Sequence, residues 1–272
     1  MSCVTAGDLD RLFEAILVND VVDAAVALPE TIRIDYPDAH LRDGFAISRD
    51  LWTAGFDRAA LIDLLGALGR DGAIGADAQL WFKHVRAKFK HLRFAFVLYG
   101  RAHACPAAFK AVTTGMGHLQ DAVRNGRQGT VRRYAAVLRL LLTRPAMRLL
   151  EREIARVDLA DGGDFRAFTL TQIAELRAIL ETPAITAHRF HVARKIVSRQ
   201  VSFHDDMRTI YPSQEHLLMS RYLSAINGLM GQYHDDLVAR RTAGGLDYAR
   251  DAFAIPHDIR ARISALVTRF PG

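Results

Sequence analysis

The chain has 272 residues, half of them hydrophobic and 24% charged, which excludes a disordered or collagenous protein and leaves room for one large domain or two small ones. Its two cysteines, Cys3 and Cys105, are too few for a disulfide framework or a cysteine zinc site, so a reducing, cytoplasmic setting is expected. No apolar run reaches the roughly 18 to 20 residues of a membrane span, and Asp8 and Asp10 break up any signal-peptide start, so no membrane partner is expected.

Only eight prolines occur, Ala and Leu dominate the apolar residues, and the periodicity is helical nearly throughout. It predicts helices over 7–28 with a break at Asn19-Asp20, then 49–69, 78–101, 107–126, 130–157, 169–181, 186–210, 214–242 and 256–269. Stop signals separate them: Gly69 with Gly72, Pro106, Gly126 with Gly129, Gly162-Gly163, Pro183, Pro212, Gly244-Gly245 and Pro256. Thr31-Ile-Arg-Ile-Asp-Tyr36 alternates like a short strand, but alone in a helical chain it reads as an extended loop. Pro145 predicts a kink in the 130–157 helix. The Asp161-Gly-Gly-Asp164 link divides the helices into two groups. The expected architecture is all-α: an acidic N-terminal segment over 1–48, a first helical bundle over 49–160 and a second over 161–272. The N-terminal segment reads either as a regulatory or docking element or as extra helices packed on the first bundle.

The net charge of +6 hides a larger asymmetry. Residues 1–77 carry a net charge of −8, residues 78–150 carry +13 with Asp121 as their one acid, and the remainder adds +1. Solvated faces usually mix both signs. A 73-residue stretch with one carboxylate therefore points to an electropositive surface that collects a polyanion: nucleic acid, a phosphate polymer or an acidic membrane. The alternative is a basic surface kept for solubility or neutralised by the acidic N-terminal third.

Within the 78–101 helix, Lys83, Arg86, Lys90, Arg93 and Arg101 fall on one stripe. Phe82, Val85, Phe89, Leu92, Phe96 and Tyr99 form the adjacent apolar face, and Lys88 lies roughly 140° or more from the stripe. Further along, His188, His191, Lys195 and Arg199 occupy a second stripe. Each striped helix is followed by one with a Gly-x-x-x-Asp element, Gly117 to Asp121 and Gly231 to Asp235. The pairing, occurring twice, suggests internal duplication into two similar bundles.

These residues resemble the CHAD domains (conserved histidine α-helical domains). Each of the family's two repeats has a helix of the type His-x-x-Arg-x-x-x-(Lys/Arg)-x-x-Arg, then a helix ending near Leu-Gly-x-x-(Arg/His)-Asp. Lys83-x-x-Arg86-x-x-x-Lys90-x-x-Arg93 matches in the first half, with Lys in the usual His position. His188-x-x-His191-x-x-x-Lys195-x-x-Ser198 matches in the second, with Arg194 and Arg199 beside its two departures. Gly117, Gln120 and Asp121, and Gly231, His234 and Asp235, match the second element. The resemblance covers roughly residues 50–272. It implies two bundles facing a central basic channel, binding of inorganic polyphosphate, no catalysis and no cofactor, and a location at polyphosphate granules.

The chemistry agrees with a polyanion. Cations at three- and four-residue spacings form a ladder along a helix. Arg86 and Arg93 can grip phosphate oxygens through paired donors, while Lys83 and Lys90 act as point charges. Arg132, Arg133 and Arg139 of the 130–157 helix read either as the channel rim or as ordinary surface arginines. His188, His191 and His204 either gain charge below about pH 6.5 and strengthen anion binding, or pack as neutral rings. Asp121 and Asp235 are expected to orient cations rather than to contact an anion. Nucleic acid is the competing ligand, because both are polyanions; single-stranded binders set aromatics beside cations, whereas most aromatics of the 78–101 helix run along the adjacent face, which favours polyphosphate. Two enzymes are the remaining alternatives. His204-Asp205-Asp206 and His234-Asp235-Asp236 suggest a metal-dependent phosphohydrolase, and the second triplet suggests the start of a prenyl-synthase motif. Successive helical residues diverge by about 100°, however, so neither triplet makes a compact ligand set, and no metal site is expected.

Overall fold

Side-chain caps start several of the helices. Thr5 opens α1 (Ala6–Leu17) through a capping box, in which its amide donates to the Asp8 carboxylate at 2.8 Å and its hydroxyl oxygen accepts from the Asp8 amide. Asp57 opens α3 (Arg58–Asp71) by accepting from the amides of Ala59 at 2.7 Å and Ala60 at 3.2 Å. Gly72, at a φ of 75°, ends that helix in the left-handed region glycine favours. The computed structural model describes residues 4–242, 247 and 250–271. Cys3 and the Gly244-Gly245 break lie outside the described residues. The other helices are α2 (Asp38–Ala54), α4 (Ala76–Tyr99), α5 (Ala107–Arg124), α6 (Gln128–Leu141), α7 (Arg144–Ala155), α8 (Gly162–Leu180), α9 (Ala187–Ile210), α10 (Gln214–Thr242) and α11 (His257–Arg269). Two short strands, β1 (Ile185–Thr186) and β2 (Ala252–Phe253), pair antiparallel with Ile185 opposite Phe253. The described residues are thus mostly helical, as expected.

Several expected helices are divided, for tertiary reasons. The 49–69 helix breaks at Gly55, where the Leu51 carbonyl and the Lys88 side chain occupy the space a Cβ would need, and Asp57 then starts α3. Lys88 is therefore not a spare surface cation: its Nζ donates to the Gly55 carbonyl at 2.7 Å. The 130–157 helix is not kinked but ends at Leu141. Pro145 sits in the first turn of α7, where its missing N–H has no intrahelical acceptor to lose. α8 begins at Gly162 rather than 169, because Asp161 accepts from the Asp164 amide at 2.8 Å.

The chain forms two compact units, residues 45–159 and the residues up to 44 together with those from 160 onward. In the 45–159 unit, α5 packs against both α4 and α6, and α6 also packs on α3. The expected apolar face of α4 is buried throughout, from Phe82 to Tyr99. Trp52, Phe56, Phe89, Phe96 and Phe109 form an aromatic core with centroids 5.0 to 6.0 Å apart.

The other unit is built on the antiparallel α9–α10 seam, with α8 and α11 packed beside it. Its core also takes Val26, Ile32 and Ile34 from the acidic N-terminal segment. The 7–28 helix stops at Leu17, and residues 18–37 run as a non-helical strap. The alternation in Thr31–Tyr36 is an inside–outside alternation without a strand: Ile32, Ile34 and Tyr36 are buried, whereas Thr31, Arg33 and Asp35 are exposed. Arg269 holds the strap by donating to the carbonyls of Pro29 and Glu30, both at 2.9 Å, and Arg262 donates to that of Ala24 at 2.9 Å. The described residues up to 44 therefore belong to the same unit as α8–α11.

Candidate functional site

Four of the stripe cations lie on α4, with Lys83 exposed and Arg86, Lys90 and Arg93 half-buried. α5 orients them. Arg93 Nη1 donates to the hydroxyls of Thr113 at 3.3 Å and Thr114 at 3.5 Å. One turn on, the Arg86 guanidinium lies across Gly117, with Nη2 3.5 Å from where a Cβ on that residue would stand. The absent side chain leaves α5 a shallow bed for the guanidinium. Between them the Lys90 ammonium sits 5.4 Å from the centroid of the half-buried Phe94 ring. His84 shows the local potential: burial first, and then Lys83 and Lys88, hold it below the usual histidine range.

Arg101 leaves this stripe. α4 ends at Tyr99, Gly100 bridges to Leu159, and Arg101 turns to Asp158, pairing with its carboxylate at 3.0 Å and its carbonyl at 2.9 Å. Arg132, Arg133 and Arg139 are exposed on α6, whose main packing among the described residues is on α3 and α5. Asp121 is exposed, and no ion pair joins it to a described residue.

On α9 and α10 the antiparallel pairing has a constant register. His191 meets His234 with centroids 5.1 Å apart, Arg194 lies over Gly231, Ser198 donates to Asn227 Oδ1 at 2.8 Å, and Asp205 accepts from Ser220 at 2.6 Å. The Arg194 Nη2 atom is 3.2 Å from where a Cβ on Gly231 would stand. Counted from the glycine, Arg194 thus has the place that Arg86 has on α4, and His191 that of Lys83. The sequence match beginning at His188 is offset from this register by one step of three residues. His188 and Lys195 are exposed beside the face. Arg199 points elsewhere: it donates to the Gln172 side chain of α8, and burial lowers its pKa to about 10. Asp235 is exposed beside His234, with Nδ1 and Oδ1 3.5 Å apart.

Histidine charging on this face is limited by its surroundings. Burial, then His234, Arg194, Lys195 and His188, push His191 down to about 4. His204 is not on the face at all. It is 2% exposed in the α9–α10 seam, where its Nδ1 lies 3.0 Å from Nδ1 of the buried His216. That contact needs one ring to donate and the other to accept, and burial holds both below the usual range. Asp205, 1% exposed, pairs with Arg208 Nε at 3.2 Å as well as with Ser220. The His204 and Asp205 side chains thus turn to different partners. Among the described residues no three His, Cys, Asp or Glu side chains gather in a way that would hold a metal ion. No described helix is long and apolar enough to cross a membrane.

Sequence reasoning misses Thr113 and Thr114 as supports of Arg93, and Arg194 as the partner of Gly231. The antiparallel register of each hairpin is the signal that finds them. Comparison with protein-family models, curated proteins and solved structures finds no match.

Proposed function

We propose that the chain binds inorganic polyphosphate without catalysis, through the cationic faces of α4 and α9. One observation carries this reading: in each of two antiparallel helix pairs an arginine is laid across a glycine of the following helix, Arg86 over Gly117 and Arg194 over Gly231. A guanidinium held this way presents its donors with less freedom to lose on binding than a solvated side chain has. Lys83, Lys90 and Arg93 extend the α4 face, and His188, His191 and Lys195 extend that of α9. The recurrence also supports internal duplication and the resemblance to the CHAD domains, for which a central channel is the setting proposed. In the glycine register the pairs read Lys83-x-x-Arg86 and His191-x-x-Arg194, the second of which keeps the family's His-x-x-Arg. The second reading is a single-stranded nucleic acid, favoured by the half-buried Phe94 beside Lys90. The remaining aromatics of α4 other than Trp81 are in the core, which favours the phosphate polymer.

The test is competition in matched salt among long-chain polyphosphate, single-stranded DNA, duplex DNA and RNA. Polyphosphate should displace the nucleic acids at equal phosphate concentration. With about six phosphates neutralised, the log–log salt slope should have a magnitude of roughly 4 to 5. A preference for RNA or DNA refutes the assignment.

A further inference from the structure

The outward face of α6 combines two features that a phosphate polymer does not use together. Leu140 is 70% exposed and Val137 is 40% exposed. A helix turns about 100° per residue, which puts Ala136 and Leu140 in the middle of the exposed arc. Arg132 and Arg139 then run along one edge, with Arg133 and Val137 on the other. The opposite arc holds Val131, Ala135, Leu138 and Leu142, all buried. No Asp or Glu occurs between Asp121 and Glu151, and Arg132 and Arg139 make no ion pair with a described residue.

A face kept for solubility mixes both charge signs and has no leucine at its centre. A face for polyphosphate or nucleic-acid backbone has the arginines but no use for Val137 and Leu140. A second copy packed on it by a two-fold axis would bring Arg132, Arg133 and Arg139 against themselves. A protein partner would be anchored by aromatics at the centre of the patch, and the nearby Tyr134 is instead half-buried and stacked on His118 at 4.9 Å. One surface uses all these groups: an anionic lipid bilayer, whose headgroup boundary takes apolar side chains while its phosphates and carboxylates pair with the arginines.

We infer that α6, through Leu140 and Val137 with Arg132, Arg133 and Arg139 beside them, docks peripherally on an anionic membrane surface. This is separate from the α4 and α9 faces and does not depend on polyphosphate binding. The test is co-sedimentation of the full chain with phosphatidylcholine vesicles and with vesicles containing one-third phosphatidylserine. Wild type should sediment with the second and not with the first. The double variant Val137→Ser/Leu140→Ser, which alters only exposed side chains, should lower partitioning by roughly tenfold. Its polyphosphate affinity should match that of wild type. Arg132→Gln/Arg139→Gln should remove the preference for phosphatidylserine. Wild type that ignores phosphatidylserine overturns the proposal, as does a serine variant that sediments like wild type, since that reports a diffuse charge effect. A wild-type dimer that the serine variant dissolves also overturns it, because the face is then covered by a second copy.

Discussion

Two glycines on α10, three residues apart, should respond in opposite directions to alanine. A Cβ on Gly228 would run into the Asp20 carbonyl oxygen and come within 2.8 Å of Val22 Cγ2. The strap there cannot withdraw freely, because Asn227 Nδ2 donates to the Asn19 carbonyl at 2.8 Å. Forced overpacking of this kind costs about 1–3 kcal/mol, against which alanine recovers about 1 kcal/mol of helix propensity. Because the obstacle is a backbone oxygen, the cost lies at the upper end of that range, about 2–3 kcal/mol, and Gly228→Ala should lose about 1–2 kcal/mol of stability. A Cβ on Gly231 meets only the far end of a flexible side chain, Arg194 Nη2 at 3.2 Å. Gly231→Ala should keep wild-type stability or gain up to about 1 kcal/mol, while moving Arg194 off its bed and weakening polyphosphate binding. Urea unfolding followed by far-UV circular dichroism measures the first pair of effects, and a polyphosphate titration the last. Equal losses in the two variants, or a Gly228→Ala protein as stable as wild type, would mean that α10 is rotated from the orientation described and would refute the reasoning.

The two lysines of α4 should separate stability from binding. Lys88→Ala removes the donor to the Gly55 carbonyl and should cost about 1 kcal/mol in urea unfolding, with little effect on polyphosphate affinity. Lys90→Ala should do the reverse, and identical profiles for the two variants would place the binding face wrongly. Acid should destabilise the α9–α10 seam through its histidines. His204 and His216 have native pKa values below the usual one because they are buried, so the unfolded chain binds more protons once the pH falls below about 6.5. Stability contributed by the neutral pair is full above that pH and is lost as the pH falls towards the depressed native values. The urea midpoint should thus drop between about pH 7 and pH 5, and less so in His204→Gln/His216→Gln. A wild-type midpoint that does not move over that range contradicts the burial of the pair.

What is legible in the sequence follows from periodicity, and what is not follows from tertiary contact. The 3.6-residue repeat of α4 places Phe82 to Tyr99 inside and Lys83 to Arg93 on one side, because both sets are fixed by the helix alone. The break at Gly55 depends on Lys88, distant in sequence, filling the space of a missing side chain. Residues 18–28 have apolar positions that mimic a helix, yet the carbonyl bonds from Arg262 and Arg269 hold this stretch in a non-helical strap. In the sequence, His204, Asp205 and Asp206 suggest metal ligands. All three are buried, with His204 against His216, and Asp205 against Ser220 and Arg208. Counting along α9 alone assigns His191 to the arginine place, and only the pairing with α10 identifies Arg194.

The most direct measurement compares two double variants that remove the same charge. Arg86→Ala/Arg194→Ala takes away the two guanidinium groups laid over glycine, and Arg148→Ala/Arg152→Ala takes away two exposed ones on α7. Polyphosphate affinity should fall by at least about tenfold in the first and change little in the second, at several salt concentrations and with helical circular dichroism retained. Equal losses in both would mean that net charge, not the glycine-bedded arginines, holds the polymer.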